Sequence, residues 1–182
     1  MCGWHLFSPP TRIFFNISLH KNNNLYFTYW EENKMYKYDV YLGGTCINSP
    51  FLWDWRTDFI RMLDDSISYY DPFIRKWKDP QSDVNKTENN DNKRKESKYC
   101  IFVFTSDIIG VYSVAQAVED SIKRNNGTVL VTFVDYRKKF DEDKHFIRSM
   151  HSALELCENN GAIICESIQD MAKIINGACK NN

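Results

Sequence analysis

Several features that would assign this chain to a broad class are missing from its sequence. No run approaches the roughly 18–20 apolar residues that a membrane span needs, so we expect no membrane partner. The formal net charge is −1, which provides no basic field to attract nucleic acid, so we expect no nucleic-acid partner. The first residues lack a charged region followed by an apolar stretch and a small-residue cleavage site, so no secretory signal is expected.

Patterns typical of disulfides and metal sites are also missing. None of the six cysteines belongs to a CxxC pair. Their positions in apparent strands and helices indicate buried free thiols in a reducing compartment. His145 and His151 are six positions apart, about 240° around a helix, so they do not share a face. We therefore expect a cytoplasmic protein with no metal site and no cofactor.

The composition changes along the chain. Residues 1–34 are rich in asparagine and aromatic residues without a sustained period, which favours a weakly specified N-terminal extension over an ordered aromatic arm. Met35 stands directly before the first clear strand and is an alternative start. Residues 35–182 are predicted to form one α/β domain, in which the charged, Asn-rich residues 78–97 form a solvated loop.

Strand and helix patterns alternate from residue 35 onwards, which predicts an α/β fold with a parallel sheet and right-handed crossovers. The predicted strands are Lys37–Leu42, Ser68–Tyr70, Tyr99–Phe104, Thr128–Val134 and Ala162–Cys165. The predicted helices are Trp53–Ile67, Ser113–Arg124, Asp141–Asn159 and Ser167–Ile175. Five strands suggest the order 2-1-3-4-5, which puts the switch point between the first and third strands, where ligands bind in such sheets.

Two unusual loops meet at that switch point, Gly43–Cys46 and Thr105–Tyr112. Gly43-Gly44 would let the backbone approach a ligand closely, although a plain tight turn explains the pair equally well. Ser113 and Gln116 fit the capping box S-x-x-Q, and Gln116 in the first helical turn would face the mouth of the sheet. A glutamine amide can hydrogen-bond a ligand, but it is no nucleophile for a sugar carbon.

The charged and aromatic neighbours of these loops have two interpretations each. Glu119 lies about 60° around the helix from Gln116. Its side chain either reaches the same cleft or belongs to a solvated helix face. Trp55 stacks on a base or packs in the core. Arg56 and Asp58 bind ligand hydroxyls or phosphate, or pair with each other. The residues alone leave these alternatives open.

Four motifs occur in the order YDVYLGGTC, WRTDF, YYDPFIRKW and FTSDIIGVYSVAQAVEDS. In that order they resemble the nucleoside 2-deoxyribosyltransferase-like proteins, and GAIICESIQDMAKIIN resembles the closing strand and helix of that family. The resemblance spans roughly residues 38–176. It implies a flavodoxin-like, Rossmann-like three-layer fold that binds a nucleoside or nucleotide. Family members often form oligomers, so a homo-oligomer is also implied.

The resemblance also implies a reaction. Typical members cleave the N-glycosidic bond of a 2′-deoxynucleoside, because a glutamate attacks the anomeric carbon and a second base or water then takes the sugar. Gln116 falls where that glutamate is expected, so Glu119 would have to substitute for it, with Asp107 as an assisting aspartate. The resemblance implies that substrate is bound by Gly43, Gly44, Thr45, Trp55, Arg56, Asp58, Asp71, Gly110, Tyr112 and Ser113. Asp71 stands where the family pattern usually has asparagine.

Three functions follow as hypotheses. The first is a transferase or hydrolase acting on the N-glycosidic bond through Glu119. The second is a catalytically inactive module that binds a nucleotide as a sensor or sponge, and Gln116 favours it over the first. The third is an interaction protein that uses the fold only as a scaffold, and the glycines and loops favour either of the others over it.

Overall fold

The chain divides into two compact units, Met1–Met35 and Tyr36–Asn182. The computed structural model describes residues 16–19, 25–28, 35–46, 53–73, 89–106, 110–135 and 144–180. In the first unit, strand β1 (Asn16–Leu19) pairs antiparallel with strand β2 (Leu25–Thr28). The sequence pattern did not predict these two strands.

The second unit contains a five-stranded, all-parallel sheet. Its strands are β3 (Tyr38–Gly44), β4 (Tyr69–Tyr70), β5 (Ser97–Thr105), β6 (Val129–Val134) and β7 (Ile163–Ile164). Its helices are α1 (Trp55–Met62), α2 (residues 89–95), α3 (Val111–Lys123), α4 (Lys144–Asn159) and α5 (Ile168–Lys180). The strand order is β4-β3-β5-β6-β7, which confirms the predicted order 2-1-3-4-5 and the flavodoxin-like α/β class.

The sheet is covered on both faces. Strand β5 is apolar from Tyr99 to Phe104, and β6 is apolar except at Thr132, as expected of central parallel strands that bury both faces. Helices α1 and α5 cover one face, where Trp55, Phe59, Met171 and Ile175 pack against β3 and β5. Helices α3 and α4 cover the other face. The result is a three-layer arrangement with an apolar core on each side of the sheet.

Helix α5 is capped at its start and is bound to α1 near its end. Ser167 Oγ accepts a hydrogen bond from the Asp170 amide at 3.2 Å, which confirms the predicted N-cap. Near the other end, the Asn176 side chain donates to the Met62 carbonyl at 2.9 Å and accepts from the Asp64 amide at 3.2 Å. Asn176 therefore caps α1, which ends at Met62, short of the predicted end.

The prediction of a solvated loop over residues 78–97 is wrong for its last part. Residues 89–95 are helical, and Ser97 is buried at the start of β5. Arg94 is only 4% exposed, because acidic side chains of α3 pair with its guanidinium. The earlier part of the predicted loop lies outside the described residues.

The predicted capping box of Ser113 and Gln116 is also wrong. Helix α3 begins earlier, at Val111, and its N-cap Gly110 has no side-chain cap. Ser113 Oγ instead donates to the Gly44 carbonyl at 3.2 Å. Gln116 Nε2 donates to Asp91 Oδ1 at 2.8 Å. Both side chains are therefore used in tertiary contacts and leave the helix end uncapped.

The five cysteines in the described part of the chain are free thiols, as predicted. Cys100, Cys157 and Cys165 are buried and Cys179 is half-buried, whereas Cys46 is exposed, so the expectation of burial is wrong for Cys46. Cys2 lies outside the described residues. None of the helices in the described ranges has the length and apolar character that crossing a membrane requires.

Candidate functional site

The two predicted loops come together at the carboxyl end of β3. The Thr45 amide donates to the Val103 carbonyl at 2.8 Å, and the Thr105 amide donates to Thr45 Oγ1 at 3.1 Å. Gly44 has a φ of 114°, and a Cβ added there would lie 2.1 Å from the Val103 carbonyl oxygen. Only glycine therefore lets β3 turn this closely against β5.

Arg56 holds the end of β3 in place. Its guanidinium is buried and donates to the carbonyl oxygens of Thr45 at 2.6 Å, Gly44 at 3.3 Å and Leu42 at 3.4 Å. Its Nε lies 3.2 Å from the Asp71 carboxylate. Most of its donors are therefore committed to the protein itself, which makes Arg56 a support for the loop as well as a wall residue.

A cavity of about 190 Å³ lies beside this loop. Five parts of the chain meet around it: the end of β3, the first turn of α1, the segment after β4, the described part of α2, and the first turns of α3. The residues that line it are Tyr41, Gly43, Gly44, Cys46, Arg56, Pro72, Phe73, Asn90, Tyr112, Ser113 and Gln116.

Six of the predicted site residues line this cavity, namely Gly43, Gly44, Arg56, Tyr112, Ser113 and Gln116. The others do not line it, namely Thr45, Trp55, Asp58, Asp71, Gly110 and Glu119. Trp55 is 1% exposed in the core. Asp58 accepts from Trp53 Nε1 at 2.7 Å and pairs with Arg61, so the alternative pairing of Arg56 with Asp58 is not formed. Asp107 lies outside the described residues.

Tyr41 is a cavity residue that the sequence reasoning missed. It is 2% exposed and stacks on Tyr70, with ring centroids 6.2 Å apart. Its hydroxyl makes no hydrogen bond to the described residues. Burial raises the pKa of Tyr41 well above its ordinary value, so the hydroxyl remains a donor at neutral pH. Its position two residues before Gly43 was the available signal.

Asp91 on α2 is a second missed residue and contacts two of the cavity residues. One carboxylate oxygen accepts from Gln116 Nε2 at 2.8 Å, and the other accepts from the Tyr112 hydroxyl at 2.8 Å. Asn90, its neighbour, lines the cavity and accepts from the Tyr70 hydroxyl at 2.9 Å. Nothing in the sequence links this polar helix to α3, because the contacts span more than twenty residues.

Arg94 continues this network away from the cavity. It pairs with Glu119 and Asp120, each at 2.7 Å, and its Nε is 3.5 Å from Asp91. Burial lowers the pKa of Arg94, but Asp120 and Glu119 outweigh that effect, so the pKa lies above its ordinary value. Hydrogen bonds from Lys123 and Arg94 lower the pKa of Glu119 to about 2. The Glu119 carboxylate is therefore ionised and bound by two cations.

A family model described as nucleoside 2-deoxyribosyltransferase like matches residues 37–133, more than half of the chain. The chain belongs to the nucleoside 2-deoxyribosyltransferase-like family. A search of curated proteins found no match. All residues that line the cavity fall inside the stretch that matches the family.

A second cavity, of about 460 Å³, lies at the ends of β6 and β7. It is lined by Trp53, Val134, Glu166, Ser167, Ile168 and Gln169. Although it is larger, all of these residues except Trp53 follow the stretch that matches the 2-deoxyribosyltransferase-like family. Ser167 is also already engaged as the N-cap of α5. The first cavity is therefore the stronger candidate for a site that the family shares.

Proposed function

We propose that this protein binds a nucleoside or nucleotide in the cavity at the end of β3. One observation carries the proposal: the cavity lies beside the switch point of the sheet, and every residue lining it belongs to the stretch that matches the nucleoside 2-deoxyribosyltransferase-like family. Open α/β sheets bind ligands at such points. A small molecule is accordingly the proposed partner.

The chemistry of the wall supports this ligand class. Tyr41, Phe73 and Tyr112 bring aromatic side chains to the cavity, and aromatic rings suit stacking on a nucleobase. The Tyr41 hydroxyl and the Gln116 amide offer polar groups inside a mostly buried space. Such a wall fits a molecule that combines a flat ring with hydroxyl and amino groups.

For the reaction, we propose cleavage or transfer at the N-glycosidic bond, with Glu119 as the nucleophile. Glu119 lies one helical turn after Gln116 and is ionised at neutral pH, as an attacking carboxylate must be. Asp107 stays the proposed assisting aspartate. A homo-oligomer in which a second copy completes the cavity is compatible with this role.

A second candidate function is binding without cleavage, as a sensor or sponge. Two observations favour it. Gln116, which is no nucleophile, lines the cavity, and among the described residues no carboxylate does so. Glu119 is held at 2.7 Å by Arg94 and at 2.5 Å by Lys123, so attack would require it to leave both cations.

Binding can be tested through Cys46, which lines the cavity and is exposed. A Cys2→Ser variant is treated with iodoacetamide, and alkylation of Cys46 is followed by peptide mass spectrometry. We expect deoxynucleosides or their monophosphates to slow the alkylation of Cys46, because an occupied cavity covers the thiol. Free ribose and free phosphate are the matched additives. No protection by any nucleoside or nucleotide, with no heat of binding in calorimetry, would contradict the proposed ligand class.

Cleavage is tested by measuring free base after incubation with the ligands that protect Cys46. If base is released, Glu119→Ala should reduce the rate by at least about 100-fold, because the covalent step is lost. Unchanged release in that variant would move the nucleophile elsewhere. Binding without release would support the sensor or sponge function, and Gln116→Glu is then the variant in which turnover is sought.

A further inference from the structure

Gln116 presents an acceptor that the protein does not use. The residue is 6% exposed and lines the cavity. Its Nε2 donates to Asp91 Oδ1 at 2.8 Å, whereas its Oε1 accepts no hydrogen bond from the described residues. An amide oxygen on a cavity wall is left unpaired when a ligand displaces the water around it and offers no donor in exchange. A ligand with a hydrogen-bond donor at this place would satisfy it.

Asp91 determines which end of the amide faces which way. A carboxylate only accepts hydrogen bonds, so the NH₂ group of Gln116 must turn towards it and the oxygen must turn away. Tyr112 is fixed in the same manner, because its hydroxyl donates to the other Asp91 oxygen at 2.8 Å. The Tyr112 oxygen is thereby left with acceptor capacity only. Arg94 Nε, 3.5 Å from Asp91, helps to hold the carboxylate in place.

We propose that Asp91 is a positioning residue that makes Gln116 a dedicated acceptor, so that the cavity selects ligands carrying an N–H or O–H donor at that point. This inference rests on the proposed nucleoside or nucleotide binding and adds a rule for selection among those ligands. The donor has two sources on a nucleoside, the exocyclic amino group of the base and a hydroxyl of the sugar. A site with an oriented acceptor rejects analogues that lack the matching donor, because the bound analogue displaces water from the acceptor and leaves it unpaired.

The experiment compares three ligands by calorimetry: 2′-deoxyadenosine, purine 2′-deoxyriboside, which lacks the amino group, and 2′,3′-dideoxyadenosine, which lacks the 3′-hydroxyl. We expect one of the two analogues to bind about 10-fold more weakly than 2′-deoxyadenosine, which corresponds to the loss of one buried hydrogen bond. The analogue that binds more weakly shows which group of the nucleoside is the donor. Equal affinity for all three ligands would overturn the inference.

Two variants test the role of Asp91 itself. In Asp91→Asn the new amide can donate as well as accept, so Gln116 is free to turn over. In Gln116→Met the acceptor is removed at similar volume. The ratio of interest is the affinity for 2′-deoxyadenosine divided by that for the analogue that binds more weakly to the wild type. Both variants should bring this ratio close to 1, mainly by weakening the binding of 2′-deoxyadenosine. Glu96→Gln is the matched control, since Glu96 pairs with Lys93 and does not line the cavity, and the ratio should remain about 10.

If the role of Asp91 is purely structural, Asp91→Asn should lower the affinity for both ligands equally and keep their ratio. That result would overturn the inference. If Asp91→Asn does not fold, as judged by its thermal unfolding, Gln116→Met decides alone. If nucleosides with and without the donor protect Cys46 equally well, only this inference is overturned and the proposed function stands. A protein that binds no nucleoside and no nucleotide would overturn the proposed function, and this inference would fall with it.

Discussion

Two buried arginines support the walls of the cavity, Arg56 directly and Arg94 through Asp91, and they are held in different ways. Arg56 and Arg94 are 3% and 4% exposed. Arg56 donates mainly to backbone carbonyls at the end of β3 and has one carboxylate nearby, that of Asp71. Arg94 meets three carboxylates, those of Asp91, Glu119 and Asp120. The Arg56 guanidinium is therefore surrounded mainly by carbonyl dipoles, and that of Arg94 mainly by carboxylate charges.

The difference separates two ways of building the same site. Carbonyl oxygens fix the direction of the Arg56 donors and so shape the loop around Gly44, but they remain neutral if the cation is lost. The carboxylates around Arg94 lose the cation that they share if it is removed, although Glu119 keeps Lys123, and Asp120, which is only 8% exposed, keeps Arg124 at 3.4 Å. Breaking a buried pair by removing one partner is costly for this reason.

Arg94→Met should have the largest effect. We expect the free energy of unfolding to fall by about 3 kcal/mol, the lower end for a broken buried pair, because the three carboxylates lose their shared cation while Arg124 stays beside Asp120. Urea unfolding followed by circular dichroism measures it. Arg61→Met is the control, since Arg61 is 75% exposed and its pair with Asp58 should contribute less than about 0.5 kcal/mol. Similar losses in both variants would contradict the importance of burial.

Arg56→Met should cost less, about 2 kcal/mol, because it leaves only one carboxylate without its cation, and the Gly44 and Thr45 carbonyls keep Ser113 and Trp55 as donors. Arg56→Lys should restore little of this loss, since one ammonium cannot reproduce the planar set of donors. The same unfolding measurement applies, and Cys46 alkylation reports whether the loop has opened. A loss larger than that of Arg94→Met would reverse the comparison of the two arginines.

Gly44→Ala changes the Arg56 side without touching a charge. We expect a loss of about 2 kcal/mol, because the added Cβ clashes with the Val103 backbone and the φ of 114° disfavours a side chain. Gly177→Ala in α5 is the matched control, since an added Cβ meets nothing within 4 Å there. That variant should be more stable by about 0.5–1 kcal/mol. Both values come from thermal and urea unfolding.

Glu119→Gln should have the smallest effect, and it should depend on pH. The pKa of Glu119 is lowered in the folded protein from the ordinary 4.5 to about 2, so its stabilisation is present above pH 4.5 and is lost as the pH falls towards 2. At neutral pH the loss should stay below about 1 kcal/mol, since the side chain is 41% exposed. The difference between wild type and variant should shrink in urea titrations between pH 5 and pH 3. A constant difference would exclude this origin.

The strand order was predictable because periodicity and connection rules act locally. The apolar run of β6 and the glycines after β3 are visible without any contact information. Helix α2 was missed because its residues show no apolar face, and it is anchored through one buried cation, Arg94, whose partners on α3 lie about 25 positions later. Long-range charge pairing leaves no period in the sequence.

The candidate site, like the fold, was predictable only in part. Gly43, Gly44 and Gln116 could be placed at the switch point from their spacing alone. Asp91 could not, because its role depends on where α2 packs against α3. Ser113 looked like a helix cap, but α3 begins two residues earlier, at Val111, and the Ser113 hydroxyl donates to the Gly44 carbonyl instead.

Helix α5 sets a limit on when the domain can fold during synthesis. Met171 and Ile175 cover the same sheet face as Val40 and Leu42 of β3, and Asn176 caps α1. That face and the end of α1 therefore stay open until residue 176 has left the ribosome. Such distant pairing slows folding and keeps apolar strands exposed in the meantime. A nascent chain that carries only the stretch shared with the family still exposes this apolar sheet face. We therefore expect it to need chaperones until α5 has been synthesised.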